Sequence, residues 1–150
     1  DGAAAPAKPR RAPRKAAARV VPSASVGDDG AVTLRLDGLR LVNVANAREH
    51  HFARSTRVKR EHAKVNAALR LVPARALAAL LASGRWVVTI TRESAGLLDT
   101  DNLAIAGKGV RDAIGKALGT GDAPSAPVAW RYEQRRAQGY AVTVRVEVAR

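Results

Sequence analysis

Cysteine is absent from the 150-residue chain, which removes disulfides, thiolate metal sites and thiol nucleophiles from consideration. The absence fits a reducing cytoplasm, the compartment expected here. Aromatic residues are scarce, with two Trp, two Tyr and one Phe, so stacking on bases can be no more than a local device. No long apolar run and no amphipathic helix with bulky apolar residues is evident, which leaves a membrane partner without a means of attachment. The basic N-terminus lacks the apolar centre of a secretory signal. Gly-x-Ser-x-Gly, Gly-Lys-Ser/Thr and a Gly-x-Gly-x-x-Gly after a strand are all missing, so serine-hydrolase, P-loop and Rossmann readings fail. No small-molecule substrate is indicated.

Acids are also few: 13 Asp plus Glu stand against 26 Lys plus Arg, a net charge of +13 at neutral pH. Such an excess repels itself in a compact state and is usually tolerated because the partner is a polyanion. Nucleic acid is the first candidate. With 47% hydrophobic residues, the length suits one domain with a real core.

Residues 1–30 are rich in Ala, Pro and Arg without apolar periodicity, which predicts a disordered basic tail. Order is expected over residues 31–150. Val32, Leu34 and Leu36 alternate with polar residues, and Asp37-Gly38 before Leu39, Leu41 and Val42 predicts a hairpin. Phe52, Val58, Val65 and Leu69 mark one face of a helix over 47–70. Pro73 and Gly84 bracket a second helix, Ala74 to Ala82. Trp86 to Arg92 reads as a strand, and 102–118 as a helix with Leu103, Ala106, Val110, Ala113 or Ile114, and Ala117 inward. Strands over Val128–Tyr132 and Tyr140–Val148 close the chain. The expected fold is α+β, a single domain in which helices pack on a mixed β-sheet in the order β-β-α-α-β-α-β-β.

In so basic a chain, the positions of the acids are informative. Asp99, Asp101, Asp112 and Asp122 share one window. Were Asp99–Asn102 extended, Asp99 and Asp101 would project to one side, and two carboxylates there would repel unless a cation lay between them. Oxygen donors alone favour Mg²⁺ or Mn²⁺. Equally, Asp101 or Asn102 could be a helix N-cap, with Asp99 favoured by the helix dipole. Lys108, outward-facing and one turn before Asp112, could stabilise a phosphoryl transition state or simply form a surface pair with that acid.

The run Leu98-Asp99-Thr100-Asp101-Asn102-Leu103, followed by Lys108 and Asp112 and by Asp122 after Leu118-Gly119, resembles the RusA-type Holliday-junction resolvases of phages and prophages. Asn46-Ala-Arg48-Glu-His50, with Arg54, Arg57 and Lys59 beyond, and Trp130-Arg-Tyr132-Glu-Gln134 are similar to segments of the same proteins. The resemblance spans about residues 31–150. It implies a Mg²⁺-dependent endodeoxyribonuclease of DNA recombination and repair, with Asp99, Asp101 and Asp122 as metal ligands, Lys108 as the catalytic lysine, and Asn102 and Asp112 in support. It implies a homodimer that resolves four-way DNA by symmetric nicks. The loop acid is doubled in the family pattern, whereas here Gly121 precedes Asp122.

Arg54, Arg57, Lys59, Arg60 and Lys64, with Arg92, Arg131, Arg135 and Arg136, are the candidates for DNA-backbone contacts. His50, His51 and His62 gather near one helix, but the adjacent pair points apart and no Cys assists, which argues against zinc. Two rivals remain: a non-catalytic basic nucleic-acid-binding protein, and an RNA-binding domain, for which the lack of aromatic pairs is unfavourable.

Overall fold

The computed structural model describes residues 20–44, 49–121 and 125–150. Most of the expected tail, Asn46–Arg48 of the resemblance and Asp122 lie outside the described residues. Within them the chain is one α+β domain: a five-stranded mixed sheet with four helices.

β1 (Ser23–Val26) and β2 (Val32–Asp37) form an antiparallel hairpin, turned by Gly27–Gly30 with Gly27 N–H donating to the Ala31 carbonyl. Order therefore begins inside the stretch expected to be disordered. The Asp37-Gly38 hairpin does not form. β2 is paired with β1 on one edge and with the last strand on the other, so no edge remains for residues 39–42. Leu39 and Leu41 are buried without being strand.

α1 (His51–Leu69) buries Glu61, Val65 and Ala68. Its apolar face is shorter than expected, because the helix meets the core only in its second half and leaves Phe52 69% exposed. α2 (Ala74–Ala82) buries Leu80, whose carbonyl accepts the Trp86 indole N–H at 2.9 Å. It stops before Gly84, which takes the left-handed φ of +69° that closes a helix. β3 (Trp86–Ser94) leads into α3 (Thr100–Ala106) and α4 (Lys108–Ala117), the expected single helix broken at Gly107. Leu103, Ala106, Val110, Ala113 and Ile114 are buried as anticipated, whereas Ala117 is exposed. β4 (Val128–Arg136) runs parallel to β3, a pairing that requires such a crossover. β5 (Ala141–Val148) inserts antiparallel between β2 and β3, giving the order β1-β2-β5-β3-β4.

Strand alternation sends Val32, Leu34, Leu36, Val88, Ile90, Val142, Val144 and Val146 to the face that α1 and α4 cover. The opposite face is polar and internally charge-paired. Glu93, nearly buried, accepts from Arg35 at 2.9 Å and from Arg135 at 2.7 Å. Arg145 is held by Asp29 and Glu147.

α1 crosses α4 at one point without slack. Glu61 is fully buried there, and a Cβ at Gly109 would overlap its Oε2. Any larger residue at 109 would require the Glu61 carboxylate or the helices to move. Gly109→Ala is expected to cost about 1–3 kcal/mol. Combined with Glu61→Ala it should cost clearly less than the two single changes summed, as read from urea unfolding midpoints.

The Arg35 guanidinium bonded to Glu93 holds that carboxyl below its usual 4.5. A depressed folded value means that the stabilisation is present above pH 4.5 and disappears as pH falls through the folded value. Glu93→Gln is expected to lose about 1.5–3 kcal/mol at pH 7 and to unfold with a shallower acid limb. Denaturant titrations between pH 7 and pH 3 would check this.

Candidate functional site

The loop after β3 is pinned before it reaches the acids. Gln134 on β4 accepts from Leu98 N–H at 2.9 Å and donates back to the Leu98 carbonyl, imitating one rung of a strand ladder. Asp99 follows at once as the N-cap of α3, accepting from Asn102 N–H at 2.9 Å. Thr100 already opens the helix, so the extended geometry anticipated for 99–102 is replaced by a cap and a first turn. Asp101 sits in that turn, where the helix dipole favours an anion. Both acids are exposed, and among the described residues neither has a cationic partner.

Lys108 begins α4 beyond the break at Gly107, where a Cβ would come within 3.1 Å of the Tyr132 ring. Its ammonium lies 2.8 and 3.1 Å from the two Asp112 oxygens. Lys108 is more than half exposed, so the pair contributes little stability, a few tenths of a kcal/mol by the rule for i,i+4 pairs on helices. The lysine is free to exchange Asp112 for another anion.

A cleft of about 630 Å³ separates α1 from the α3–α4 corner, with His51, Arg54, Lys59, Ile105, Lys108 and Asp112 among its walls. Arg111, which the sequence reading did not single out, extends this surface beside Lys108, its guanidinium lying over Trp130 at 5.2 Å from the ring centroid. Its position three residues after Lys108, on the same helix face, is the signal that would have found it.

The nine expected DNA contacts do not share one surface. Arg54, Lys59 and Arg60 are exposed on α1. Arg57 is instead clamped at 3.0 Å by both Glu49 and Glu61, which hold its charge and raise its pKa. Lys64 donates to the Asp37 carbonyl at 2.9 Å, and burial lowers its pKa. Arg92 is not on the surface: it is 7% exposed and donates to the Leu41 and Gly96 carbonyls. Arg131 and Arg135 alternate onto the other side of the sheet, where Arg135 is held by Glu93. Arg136 is exposed at the end of β4.

For a hard divalent cation, the described residues supply two carboxylates, Asp99 and Asp101. No group of three His, Cys, Asp or Glu residues converges among the described residues, and Asp122 lies outside them. Mg²⁺ commonly takes one or two carboxylates and completes its shell with water and substrate oxygens; Asp99 and Asp101 have that chemistry, but the cap and first turn replace the extended backbone that would have set them on one side. The three histidines form no metal group; His50 stacks on Phe52, and His51 lies tilted against both rings.

Among the described residues no single helix is long and apolar enough to cross a membrane. No protein-family model matches the chain, and no curated protein matches it.

Capping and metal binding make different demands on position 99. Asn caps a helix about as well as Asp, whereas Ala costs about 0.5–2 kcal/mol. Asp99→Asn is therefore expected to keep the wild-type melting temperature and Asp99→Ala to lower it, as measured by circular dichroism.

Proposed function

We propose that the chain is a metal-dependent endodeoxyribonuclease that nicks branched DNA, with the four-way junction as its substrate. One observation supports this most. Two exposed carboxylates without cationic partners, Asp99 and Asp101, open the helical segment that continues to Lys108 in a cation-lined cleft. An otherwise basic chain gains nothing for phosphate binding from such a pair, whereas a hydrolase needs it. The sequence resemblance to RusA-type resolvases adds the junction, the homodimer and Mg²⁺.

Asp99 and Asp101 would hold the metal, with Asp122 as the third acid of the resemblance. Bound there, Mg²⁺ supplies Lewis-acid polarisation of the phosphate and a water of lowered pKa. The chain's own residues do the rest. Arg54 and Lys59 hold backbone phosphates, so affinity falls steeply with salt. Lys108 exchanges its weak contact with Asp112 for a non-bridging phosphate oxygen and neutralises charge that grows as water adds to phosphorus and the P–O bond to the sugar breaks. Gln134 and the Asp99 cap fix the acids on a rigid support, so that alignment costs little when substrate arrives. Two copies related by a two-fold axis match the approximate symmetry of a junction and give paired nicks.

A non-catalytic DNA holder is the second reading. It is favoured by the structural work that Asp99 and Lys108 already have, in a cap and an ion pair.

A labelled four-way junction and a linear duplex, each incubated with Mg²⁺ or with EDTA, separate the two. The nuclease gives symmetric nicks on the junction alone, none in EDTA and none in Asp101→Asn. Lys108→Ala should slow cleavage about 10²- to 10³-fold, the scale of one lost charge-stabilising donor. Tight junction binding without nicks in either Mg²⁺ or Mn²⁺ establishes the holder instead.

A further inference from the structure

We infer that Phe52, with His50 and His51, forms a platform on which an unpaired nucleobase stacks beside the cleft that takes the phosphates. This rests on the nucleic-acid reading above and adds to it a preference for substrates that contain unpaired bases.

Phe52 is the single Phe of the chain and stands 69% exposed at the start of α1. Its ring centroid lies 4.0 Å from that of His51 and 5.3 Å from that of His50, and the rings of the two histidines are 4.4 Å apart. Three of the eight aromatic and imidazole rings of the chain are thus gathered at one exposed helix start. His50 caps the helix, its Nδ1 accepting the Phe52 N–H at 3.4 Å, but no buried residue of α1 precedes Glu61, so core packing does not place His51 or Phe52.

The surroundings differ on the two sides. Towards Leu39, Val42 and Ala53, Phe52 walls a cleft of about 520 Å³ that Arg40 and Arg60 also line. Its neighbour His51 walls the cation-lined cleft with Arg54, Lys59 and Lys108. A ligand that matches both is flat and aromatic at one end and anionic at the other, which describes a nucleotide within a strand. An apolar peptide would leave the cations unmatched, and a fully paired duplex keeps its bases stacked on one another and offers no free ring face. Stacking tolerates any base, because each has a π-face.

The test uses the full chain in EDTA, so that no chemistry intervenes, with 2-aminopurine placed at an unpaired position in a gapped DNA or in a fully paired duplex. Wild-type protein should change the fluorescence of the unpaired probe only. Phe52→Ala should weaken binding of the gapped DNA about tenfold, the scale of one lost base–aromatic stack, and leave duplex affinity unchanged. Phe52→Trp should restore the wild-type behaviour, and Arg54→Ala should weaken both substrates. If wild-type binds both DNAs and Phe52→Ala alters neither, or weakens both equally, the platform is overturned while the nucleic-acid reading stands. If wild-type binds neither, both fall together.

Discussion

Where α1 crosses α4, a carboxylate is sealed from water against a residue that has no side chain. Glu61 is fully buried, and burial pushes its carboxyl up while Arg57 opposes the shift. An ion pair so placed stabilises little in net terms, but removing one partner leaves a buried charge unanswered. Its consequence is geometric. Gly109 and Arg57, which meet Glu61 at the crossing, also line the cation-lined cleft together with Lys108.

The scarce acids sort the abundant cations. Glu49 and Glu61 take Arg57, Glu93 takes Arg35 and Arg135, and Asp29 and Glu147 take Arg145. Carbonyl oxygens take Lys64 and Arg92. Pairing thus engages Arg35, Arg135 and Arg145 on the open sheet face, while Arg54, Lys59 and Arg60 on α1 make no salt bridge among the described residues. Asp99 and Asp101 stand outside this pairing, and the proposed chemistry rests on that difference.

The scaffold and the proposed site share parts. The cap that starts α3 also fixes one oxygen of Asp99, and the Gln134 bonds to Leu98 hold the same loop to β4. The break at Gly107, packed against Tyr132, turns the chain so that α4 carries Lys108 into the cleft. Stability and function are therefore separable at position 99 only by a substitution that keeps the cap, which is why the asparagine variant carries more information than alanine.

Periodicity in the sequence was enough to determine the α+β class, the element order, the second helix between Pro73 and Gly84, and the alternation of Val142, Val144 and Val146, because each is a local pattern of burial along one element. Composition determined the net charge of +13, since charge is a sum over residues. Tertiary structure decided what depends on a partner distant in the chain. The Asp37-Gly38 turn gave no hairpin because β1 and β5 already occupy both edges of β2, and Ser23–Val26 became a strand because β2 offered it an edge. Arg57, Arg92 and Arg135 read as surface charges until Glu61, the Leu41 carbonyl and Glu93 met them. The intimacy of Gly109 with Glu61, 48 residues apart in the chain, has no local signature at all. Side-chain pairing across elements depends on where the backbone brings them, and that is fixed only when the helices settle on the sheet.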